Sequence, residues 1–572
     1  MQWHPYSDEA FARARERGTP VLVHLLARWS RGSRELDRRV LTDLRVLGHL
    51  SEHFVCVRVD REEQPEVSER LRLGGWPTLA WLDAEGTVLA RTGYREPGPL
   101  AARLQAVRNH HLEGPISVAN AFAAIAEDEA SIRPEDGLDG RLVEDVMEVL
   151  QDSADPVHGG WGKRQKFPHP DALHLALVRW SQTGDENVLR LVTRTLRGMQ
   201  QGEVHDRVEG GFYRYATQAD WSVPHHQKML RSNAQRLLAY IEAFQALGDT
   251  SYRETAEGIL TWMTNTLLDP RTGAYLASQD ADPEYAHKKS LEQRAAHGAP
   301  DCDPTIYADR NAVAIHALFK AGLVLDDERW TQAARTALDF LLDRGVTERD
   351  GVFHHWNGAW NVHGLLADQA SVLRGMVEAM HYAGDNRYLE PALQLARRTL
   401  EQFTAPDGTL HANVHKPTLR GSIHENSDTL LANAVCAEAC VRLGTLAYEP
   451  ELVDAGRRIL SAFTRDWRRY GHLAAVYARA VDLFVHPPVH VIVVGPADGD
   501  RTRALRRTAL GPYVASRVVQ TLDPERDPEL LEKIGLPSQA TAHAYVQCGF
   551  EAYADTADPD RLAPLMARIQ RD

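Results

Sequence analysis

The stretch over residues 205–228 concentrates side chains that could move protons to and from a small polar ligand. Its ionisable and aromatic members are His205, Asp206, Arg214, Trp221, His225, His226 and Lys228. Imidazoles and carboxylates are common proton donors and acceptors in general acid–base catalysis, and a nearby cation can stabilise an enolate. A simple connector between helices does not require such a set, so the stretch predicts a functional pocket.

Other loops extend this set toward a sugar-binding site, which needs aromatic faces for stacking and polar groups for hydroxyls. The catalytic candidates are His225, Asp206, Asp282, His424 and Asp368. The substrate-binding candidates are Trp161, Phe212, Arg214, Trp221, Lys228, Asp280 and Glu425. We expect no metal ion and no cofactor, because the chain has neither a Cys/His spacing of the zinc type nor a G-x-G-x-x-G pattern.

Each candidate also has a structural interpretation. Asp280 and Asp282 could tie a turn or cap a helix, and Asp368 suits the start of a helix electrostatically. Three further histidines are interpreted as loop or surface residues: His354, His355 and His363. For a single residue we prefer the structural interpretation, whereas the 205–228 stretch as a whole favours a pocket.

The first 112 residues are predicted to form an α/β domain. A helix at 8–18 comes first, and a second helix separates the first two of four apolar strands, at 20–26, 54–59, 78–82 and 88–91. The last two strands are joined by the turn Asp83-Ala-Glu-Gly86. Alternating strands and helices followed by a hairpin of strands is the thioredoxin-type order.

Residues 113–485 change to a helical period. The predicted helices are 141–153, 170–183, 186–200, 229–247, 251–267, 310–323, 327–343, 366–383, 386–403, 427–443, 450–464 and 468–484. Twelve helices in pairs indicate a closed ring of six hairpins, the (α/α)6 toroid, with its long loops gathered at one rim. An open helical solenoid is the alternative.

Residues 486–572 are predicted to form a small α/β segment. A buried strand at 489–495 is followed by a helix at 501–510, a short strand at 514–519 and another strand at 544–548. The whole chain is therefore interpreted as multidomain: a thioredoxin-like α/β domain, a mainly α toroid and a small α/β segment.

Charge and composition exclude several classes of partner. The 572 residues carry a net charge of −14 without a basic tract, so nucleic acid is not an expected partner. We expect no membrane association, because no apolar run is long enough to cross a bilayer. The first residues lack the apolar core of a signal peptide, and the five cysteines do not suggest a disulfide framework, so a cytoplasmic location is expected.

Several motifs resemble the spermatogenesis-associated protein 20 family. In the first domain they are VDREEQPEV (59–67) and GGWPT (74–78). In the helical part they are DPVHGGWG (155–162), GGFYRY (210–215), VPH (223–225), KML (228–230) and SQDAD (278–282). The resemblance implies a thioredoxin-like domain joined to a toroid similar to N-acylglucosamine 2-epimerases. It also implies a cis peptide bond before Pro77.

The chain departs from this family where the family carries reactive groups. The family's C-x-x-C motif aligns with Trp29-Ser-Arg-Gly-Ser33, so Ser30 and Ser33 occupy the cysteine positions. Serine cannot form a disulfide, which excludes dithiol exchange. We favour a packing or docking role for this domain over anion binding at the same turn. Gln227 stands where the family usually has an acid, and an amide cannot exchange a proton at neutral pH.

Three functions remain open. The first is a sugar epimerase or isomerase, with His225 or His424 removing a proton beside a carbonyl and Arg214 or Lys228 stabilising the resulting charge. The second is a glycoside hydrolase that pairs Asp206 with another aspartate. The third is a non-catalytic binding or scaffold protein. We prefer the first, with a small sugar or sugar derivative as the partner; the sequence does not determine the oligomeric state.

Overall fold

A computed structural model describes residues 2–73, 75–113, 137–414, 427–514, 516–538 and 541–569. The chain divides into two compact units. One comprises Met1–Pro134 with His415–Asn426, and the other comprises Glu135–Val414 with Ser427–Asp572. The predicted site residues His424 and Glu425 lie outside the described residues.

The first unit contains one five-stranded sheet with helices on both faces. Its elements are β1 (Trp3–His4), α1 (Asp8–Arg17), β2 (Val21–Leu26), α2 (Arg31–Glu35), α3 (Leu44–His53), β3 (Val55–Asp60), α4 (Pro65–Leu71), β4 (Thr78–Leu82), β5 (Val88–Thr92) and α5 (Pro97–Glu113). The strand order is β1-β3-β2-β4-β5. Strand β3 runs parallel to β1 and β2, whereas β4 and β5 are antiparallel to their neighbours. This sheet confirms the predicted thioredoxin-type order.

The central strands of this sheet are apolar because both faces are covered. Every residue of β2 is buried, and two separate apolar clusters pack on the two sides of the sheet. Strands covered on both faces have continuous apolar runs rather than alternating patterns. This is why the sequence showed these strands clearly.

The second unit begins with fourteen helices among the described residues. They are α6 (Gly140–Ser153), α7 (Pro170–Thr183), α8 (Glu186–Gln201), α9 (Leu230–Leu247), α10 (Thr250–Trp262), α11 (Pro283–Ala286), α12 (Leu291–His297), α13 (Ala308–Leu325), α14 (Glu328–Gly345), α15 (Leu366–Glu378), α16 (Leu389–Phe403), α17 (Ser427–Ala447), α18 (Pro450–Ser461) and α19 (Ala475–Val485). Short strands in the loops are β6 (Tyr215–Ala216), β7 (Pro224–His225), β8 (Lys228–Met229), β9 (Ser278–Gln279), β10 (Cys302–Asp303), β11 (Ile306–Tyr307), β12 (Val346–Thr347), β13 (Gly351–Trp356) and β14 (Trp360–His363).

Six of these helices close into an inner ring. Each contacts the next in the order α7, α9, α13, α15, α17 and α19, and α19 contacts α7 again. The outer helices α8, α10, α14, α16 and α18 each pack on the inner helix that precedes them in this order, and α6 packs on α19. The predicted (α/α)6 toroid is therefore confirmed, and the open solenoid is wrong because the first and last inner helices touch.

Burial separates the inner helices from the outer ones. The outer helix α8 buries a single stripe that includes Val188, Leu191, Val192 and Leu196, as an amphipathic surface helix does. The inner helix α13 is buried over most of its length, including Asp309, His316 and Lys320. One helical stretch, Leu430–Ala447 in α17, is long and apolar enough to cross a membrane, but 89% of it is buried in the ring. Its apolar character is explained by this position in the core.

A repeated amide clamp fixes the loop hairpins to the inner helices. The side chain of Asn233 accepts a hydrogen bond from the Phe212 backbone N–H at 2.7 Å and donates one to the Phe212 carbonyl at 3.0 Å. Asn311 makes the same pair with Tyr275, and Asn433 makes it with the backbone of a later loop. Buried backbone groups of the loops are thereby satisfied.

The chain continues into a smaller α/β segment that packs against the ring. Its elements are β15 (Val489–Val494), α20 (Asp500–Leu510), β16 (Val518–Leu522), α21 (Pro528–Ile534), β17 (His543–Cys548), β18 (Glu551–Thr556) and α22 (Pro559–Ile569). The strand order is β16-β15-β17-β18. The predicted strand at 514–519 begins later, at Val518, because the residues before it extend to the ring interior instead.

Candidate functional site

The inner ring encloses a polar cavity of about 110 Å³. Every inner helix contributes side chains to its wall, and the chain between that ring and β16 adds Tyr513, Val514, Ser516 and Arg517. Its ionisable lining residues are Asp171, His174, Arg231, Glu242, His316, Lys320, Arg374, Glu378, His381, Tyr382, Glu438, Arg442, Arg479, Asp482, Tyr513 and Arg517. Charged side chains are rarely buried unless they are paired or functional, so this wall needs a physical account.

One glutamate carries the densest part of the network. Arg374 donates to Glu438 with both terminal nitrogens, at 3.1 and 3.2 Å. Arg479 donates at 3.0 Å and Arg442 at 3.3 Å. Burial alone would raise the pKa of Glu438, but the three guanidinium groups hold it far below its ordinary value. Glu438 is therefore a permanent anion that holds three arginine side chains in position in the cavity wall.

Two pairs of histidine and glutamate lie beside this network. Nδ1 of His174 is 2.7 Å from Glu242, and Nε2 of His316 is 3.5 Å from Glu378. Burial would raise the pKa of Glu242, but His174 and the more distant cation Lys320 lower it to about 2. Burial, reinforced by Arg374, lowers the pKa of His316 well below its ordinary value. His316 is therefore a neutral imidazole at pH 7, with one ring nitrogen that carries no proton.

Lys320 stands apart from the other cations in the wall. Its side chain is almost fully buried, and its ammonium group lies 5.0 Å from the ring centre of Tyr382 and 5.9 Å from that of Tyr513. Within the described residues it has no hydrogen-bond or ion-pair partner. Burial lowers the pKa of Lys320 from the ordinary 10.5 to about 8, and Glu242 opposes that effect.

One end of the cavity is closed by the α/β segment. Nδ1 of His381 accepts a hydrogen bond from the Val519 backbone N–H at 2.8 Å, so this imidazole has a structural role. Arg442 donates to the carbonyl of Arg517 at 3.2 Å. Buried contacts of this kind hold the segment in place and exclude bulk water from this end.

A carboxylate–imidazole pair that includes a predicted catalytic residue lies behind the cavity wall, and its residues do not line the cavity. Nδ1 of His354 lies 2.9 Å from Asp368, which is fully buried. Asp309 is close to both and is joined to Arg231 of the cavity wall at 3.5 Å. The ligand atoms of Asp309, His354 and Asp368 lie within 4.8 Å of one another and could hold a metal ion. The direct hydrogen bond between the ring and the carboxylate also accounts for their proximity.

The histidines of this region correct an expectation. His354 and His355 were expected at the surface, but the structure buries both in β13. Strand β13 pairs with β11 and β14 and packs against α13 and α15. These histidines were missed because their contacts come from segments distant in sequence.

The 205–228 stretch forms a buried ion-pair network beside the ring. Lys228 donates to Asp206 at 2.5 Å and to the Gly210 carbonyl at 2.8 Å. Arg294 donates to both carboxylate oxygens of Asp206, at 2.6 and 2.9 Å. Burial would raise the pKa of Asp206, but these cations lower it to about 2. All three side chains are buried.

The preceding hairpin repeats the same arrangement. Lys166 donates to Asp155 at 2.7 Å and to the Gly159 carbonyl at 2.8 Å. In both hairpins the aspartate also accepts hydrogen bonds from backbone N–H groups two residues further along. A repeated Asp–Gly–Lys unit with closed hydrogen bonding stabilises a loop. Two of the sequence motifs are therefore copies of one loop structure that recurs in successive hairpins.

The structure does not place the predicted stacking residues at an open surface. Trp161, Phe212 and Trp221 are each at most 1% exposed. The indole N–H of Trp161 donates to the Leu150 carbonyl, and that of Trp221 donates to the His158 carbonyl. These rings pack in the apolar core, so a sugar cannot reach their faces. The expectation that they bind a ligand by stacking is corrected for this reason.

The remaining predicted residues lie in the loops. Asp282 caps α11 and pairs with His297 at 3.1 Å, and Asp280 is tied through its backbone to a neighbouring strand end. His225 stacks on Tyr215 with ring centres 5.3 Å apart. Arg214 donates to Gln227 at 3.4 Å. The structure joins Asp206 with Lys228, but none of the predicted site residues that the structure describes lines the cavity of the ring.

A signal for the cavity was nevertheless present in the sequence. Ionisable residues occur four apart on otherwise apolar inner helices, as in His316 with Lys320, and Glu438 with Arg442. Residues four apart lie on the same helix face. An apolar helix with such a polar pair indicates a buried polar interior.

The first unit places its two serines at a helix start. Ser30 caps α2, where its oxygen accepts from the Ser33 N–H at 3.4 Å, and its hydroxyl donates to the Trp76 carbonyl at 3.3 Å. Ser33 accepts from the Ala27 N–H. The Trp76–Pro77 peptide bond is cis, as the resemblance implied. Both hydroxyl groups are engaged in local structure, which agrees with a packing role.

Comparisons with known proteins support the resemblance. Residues 1–110 match the family model Thioredox_DsbH, described as "Protein of unknown function, DUF255". Spermatogenesis-associated protein 20 of Mus musculus is 29% identical over 316 residues, which cover 50% of this chain and 40% of the mouse protein. The Homo sapiens protein is 30% identical over 309 residues, covering 49% and 39% respectively. The match therefore spans about two-fifths of these relatives.

Several solved structures with a similar toroid are of proteins whose titles name sugar-processing enzymes. D-mannose isomerase aligns with a TM-score of 0.47 and 12% identity, covering 61% of this chain and all of that one. Cellobiose 2-epimerase from Spirochaeta thermophila gives 0.46 and 13%, covering 60% and 98%. An unsaturated glucuronyl hydrolase from Bacillus sp. GL1 gives 0.43 and 14%, covering 60% and 96%. Similarity at this level concerns the fold alone.

Proposed function

We propose that the ring cavity binds a small open-chain sugar and moves a proton beside its carbonyl group, as a sugar isomerase or 2-epimerase does. The observation that supports this most is the pairing of two groups on one face of α13. His316 is a neutral imidazole, and Lys320, one turn further along, is a cation without a carboxylate partner in the described chain. A base beside an electrophilic group is the minimum set for enolisation.

The roles follow from the charges in the wall. His316 accepts the proton from the carbon beside the carbonyl group. Lys320 stabilises the negative charge that develops on the carbonyl oxygen, because a cation is most effective where water is excluded. His174, held by Glu242 at 2.7 Å, donates or accepts the second proton. Its carboxylate partner fixes the orientation of the ring.

The size of the cavity fits a small ligand. Its volume of about 110 Å³ corresponds to roughly ten water molecules, since one water needs about 10–15 Å³ by the same measure. A monosaccharide has a similar number of heavy atoms. The ligand is therefore expected to be a monosaccharide or a smaller carbonyl compound rather than a polymer.

The same wall argues against the glycoside hydrolase alternative. That chemistry needs one carboxyl group that stays protonated near neutral pH. The two cavity carboxyl groups with displaced pKa values, Glu242 and Glu438, are both displaced downward by neighbouring positive charge. They are suited to holding cations rather than to protonating a leaving group.

The test is proton exchange in deuterated water. The full-length protein is incubated with a panel of aldoses and ketoses, and NMR follows deuterium incorporation at the carbon next to the carbonyl. We expect incorporation with at least one sugar, and a roughly hundredfold or greater loss in His316→Gln, the usual effect of removing a general base. His543→Gln is the matched control, because His543 on β17 pairs with Asp555 on β18 of the α/β segment. This substitution should leave exchange unchanged.

Two results would contradict the proposal. One is a folded protein that exchanges no sugar in the panel and shows no thermal shift with any of them, which favours a non-catalytic binding or scaffold role. The other is equal loss of exchange in His316→Gln and His543→Gln, since that would place the effect outside the cavity.

A further inference from the structure

Lys320 differs from the other buried lysines of the described chain. Lys166 and Lys228 are at most 1% exposed and are neutralised by aspartates at 2.7 and 2.5 Å. Lys320 is 5% exposed and has aromatic rings rather than a carboxylate beside its amino group. A buried ammonium without a partner is costly, whereas a buried neutral amine is tolerated and nucleophilic.

The surroundings of this amino group come from several elements. Glu242 on α9 and Glu378 on α15 favour the ammonium form. Arg442 on α17 and Arg517 of the α/β segment oppose it. The hydroxyl groups of Tyr382 and Tyr513 have no hydrogen-bond partner among the residues described. An amine that faces a cavity beside two tyrosine rings is placed to meet a carbonyl compound that enters the cavity.

We propose that Lys320 is a covalent nucleophile, which forms an imine with the carbonyl carbon of an aldehyde or ketone ligand of the open-chain sugar class. This inference rests on the proposed function. It replaces electrostatic stabilisation by Lys320 with a covalent bond between Lys320 and the ligand. The amine nitrogen bonds to the carbonyl carbon, and the proton it loses passes to the carbonyl oxygen, giving a carbinolamine. The carbon–oxygen bond then breaks, one water leaves and a carbon–nitrogen double bond forms.

A protonated imine is a stronger electron acceptor than a carbonyl group. The carbon–hydrogen bond next to it is therefore more acidic, and His316, one helical turn away on the same face, can remove that proton. The electron pair moves into the iminium system and gives a neutral enamine. A proton is then returned to the same carbon, which restores the iminium ion. Addition of water to that ion releases the carbonyl compound and the lysine, so no oxidant or reductant is consumed.

The lowered pKa of Lys320, about 8, agrees with this role. At pH 7.5 the neutral amine fraction of such a lysine is roughly two-hundredfold larger than that of an ordinary exposed lysine. The chain has only eight lysines, which makes the position of a covalent adduct easy to map.

The experiment is reductive trapping with a small aldehyde. Full-length protein is mixed with glyceraldehyde at pH 7.5, borohydride is added, and peptide mass spectrometry locates lysines that gain the aldehyde mass less one oxygen. We expect an adduct at Lys320 well before any at exposed Lys163 or Lys289. The buried, paired Lys228 is the internal control and should stay unmodified. Early modification of the exposed lysines with none at Lys320 would overturn the inference.

A second measurement separates this inference from the proposed function. Lys320→Met should remove the trapped adduct and reduce deuterium exchange at least a hundredfold. If no adduct forms at Lys320 in the wild type while deuterium exchange is present and is lost in Lys320→Met, the imine is refuted and the proposed function stands. If Lys320 is trapped in the wild type but no sugar exchanges, the proposed function is refuted and the nucleophile stands.

Discussion

Replacement of Glu438 by glutamine gives a direct test of the charge network in the ring. Glutamine keeps the shape of the side chain and removes its charge. The guanidinium groups of Arg374, Arg442 and Arg479 then lie close together without the anion that they surround in the wild type. The side chain is 2% exposed, so the three cations are largely shielded from bulk solvent when the carboxylate is lost.

The size of the effect follows from what each arginine retains. Breaking a buried ion pair by removing one partner costs about 3–5 kcal/mol. Arg374 keeps Glu378 at 3.3 Å, and Arg479 keeps Asp171 at 3.9 Å. This partial compensation favours the lower limit, so we expect a decrease of about 3 kcal/mol in the free energy of unfolding.

The assay is urea unfolding followed by far-UV circular dichroism, which reports the helical ring. Glu257→Gln is the control, because Glu257 pairs with Arg253 at 2.8 Å on the exposed face of α10, with both side chains about half exposed. Exposed pairs of this spacing contribute roughly 0.3–0.5 kcal/mol. Similar small losses in both variants would refute the view that Glu438 balances the three arginines.

The difference between wild type and Glu438→Gln should also depend on pH in one direction. The folded pKa of Glu438 lies below the ordinary value of 4.5, so the stabilising effect is complete above that value. It is lost as the pH falls, because the unfolded chain takes up a proton that the folded chain does not. We expect the stability difference to shrink by about 2 kcal/mol between pH 7 and pH 3. A difference that grows on acidification would contradict the assigned charge.

Three further predictions concern the loops and the first unit. Gly210→Ala should lower the free energy of unfolding by about 3 kcal/mol, because φ is +83° and the new Cβ would lie 2.1 Å from a carbonyl oxygen of α10; a melting temperature equal to that of the wild type would contradict this. Lys228→Met should cost about 3 kcal/mol and raise the pKa of Asp206 from about 2, measured by urea unfolding and carboxyl NMR; an unchanged titration would show that Lys228 is not its main partner. Replacing Ser30 and Ser33 together by alanine should leave sugar exchange unchanged, and a tenfold loss would refute the packing role.

Much of the fold could be predicted because it is encoded locally. The period of α8 and the αL residue Gly248 after α9 are properties of short segments, and they placed the predicted helices close to the observed bounds. The strands β2 and β3 were visible because burial on both faces requires continuous apolar residues. The predicted strand at 514–519 was displaced because Val514 and Arg517 line the ring cavity, among helices that are distant in sequence.

The candidate site was predicted less well, and particular residues show why. Asp206 and Lys228 are both ionisable and could take part in catalysis, yet they lie 22 positions apart in a hairpin that brings them into a closed ion pair. Trp161 and Trp221 could stack on a sugar, yet their rings fill the core. A side chain's chemistry can be read from its type, but its availability depends on neighbours from other segments.

The sequence by itself determined the helical pairs, the thioredoxin-type strand order and the serines at positions 30 and 33, because each depends on neighbouring residues or on residue type. Only the tertiary structure decided which polar side chains face inward. Along a single helix, His316 and Lys320 look the same whether they face solvent or the interior. Closure of the ring through α19 and α7 turned that face into the wall of a cavity, where burial changes the proton affinity of the same groups.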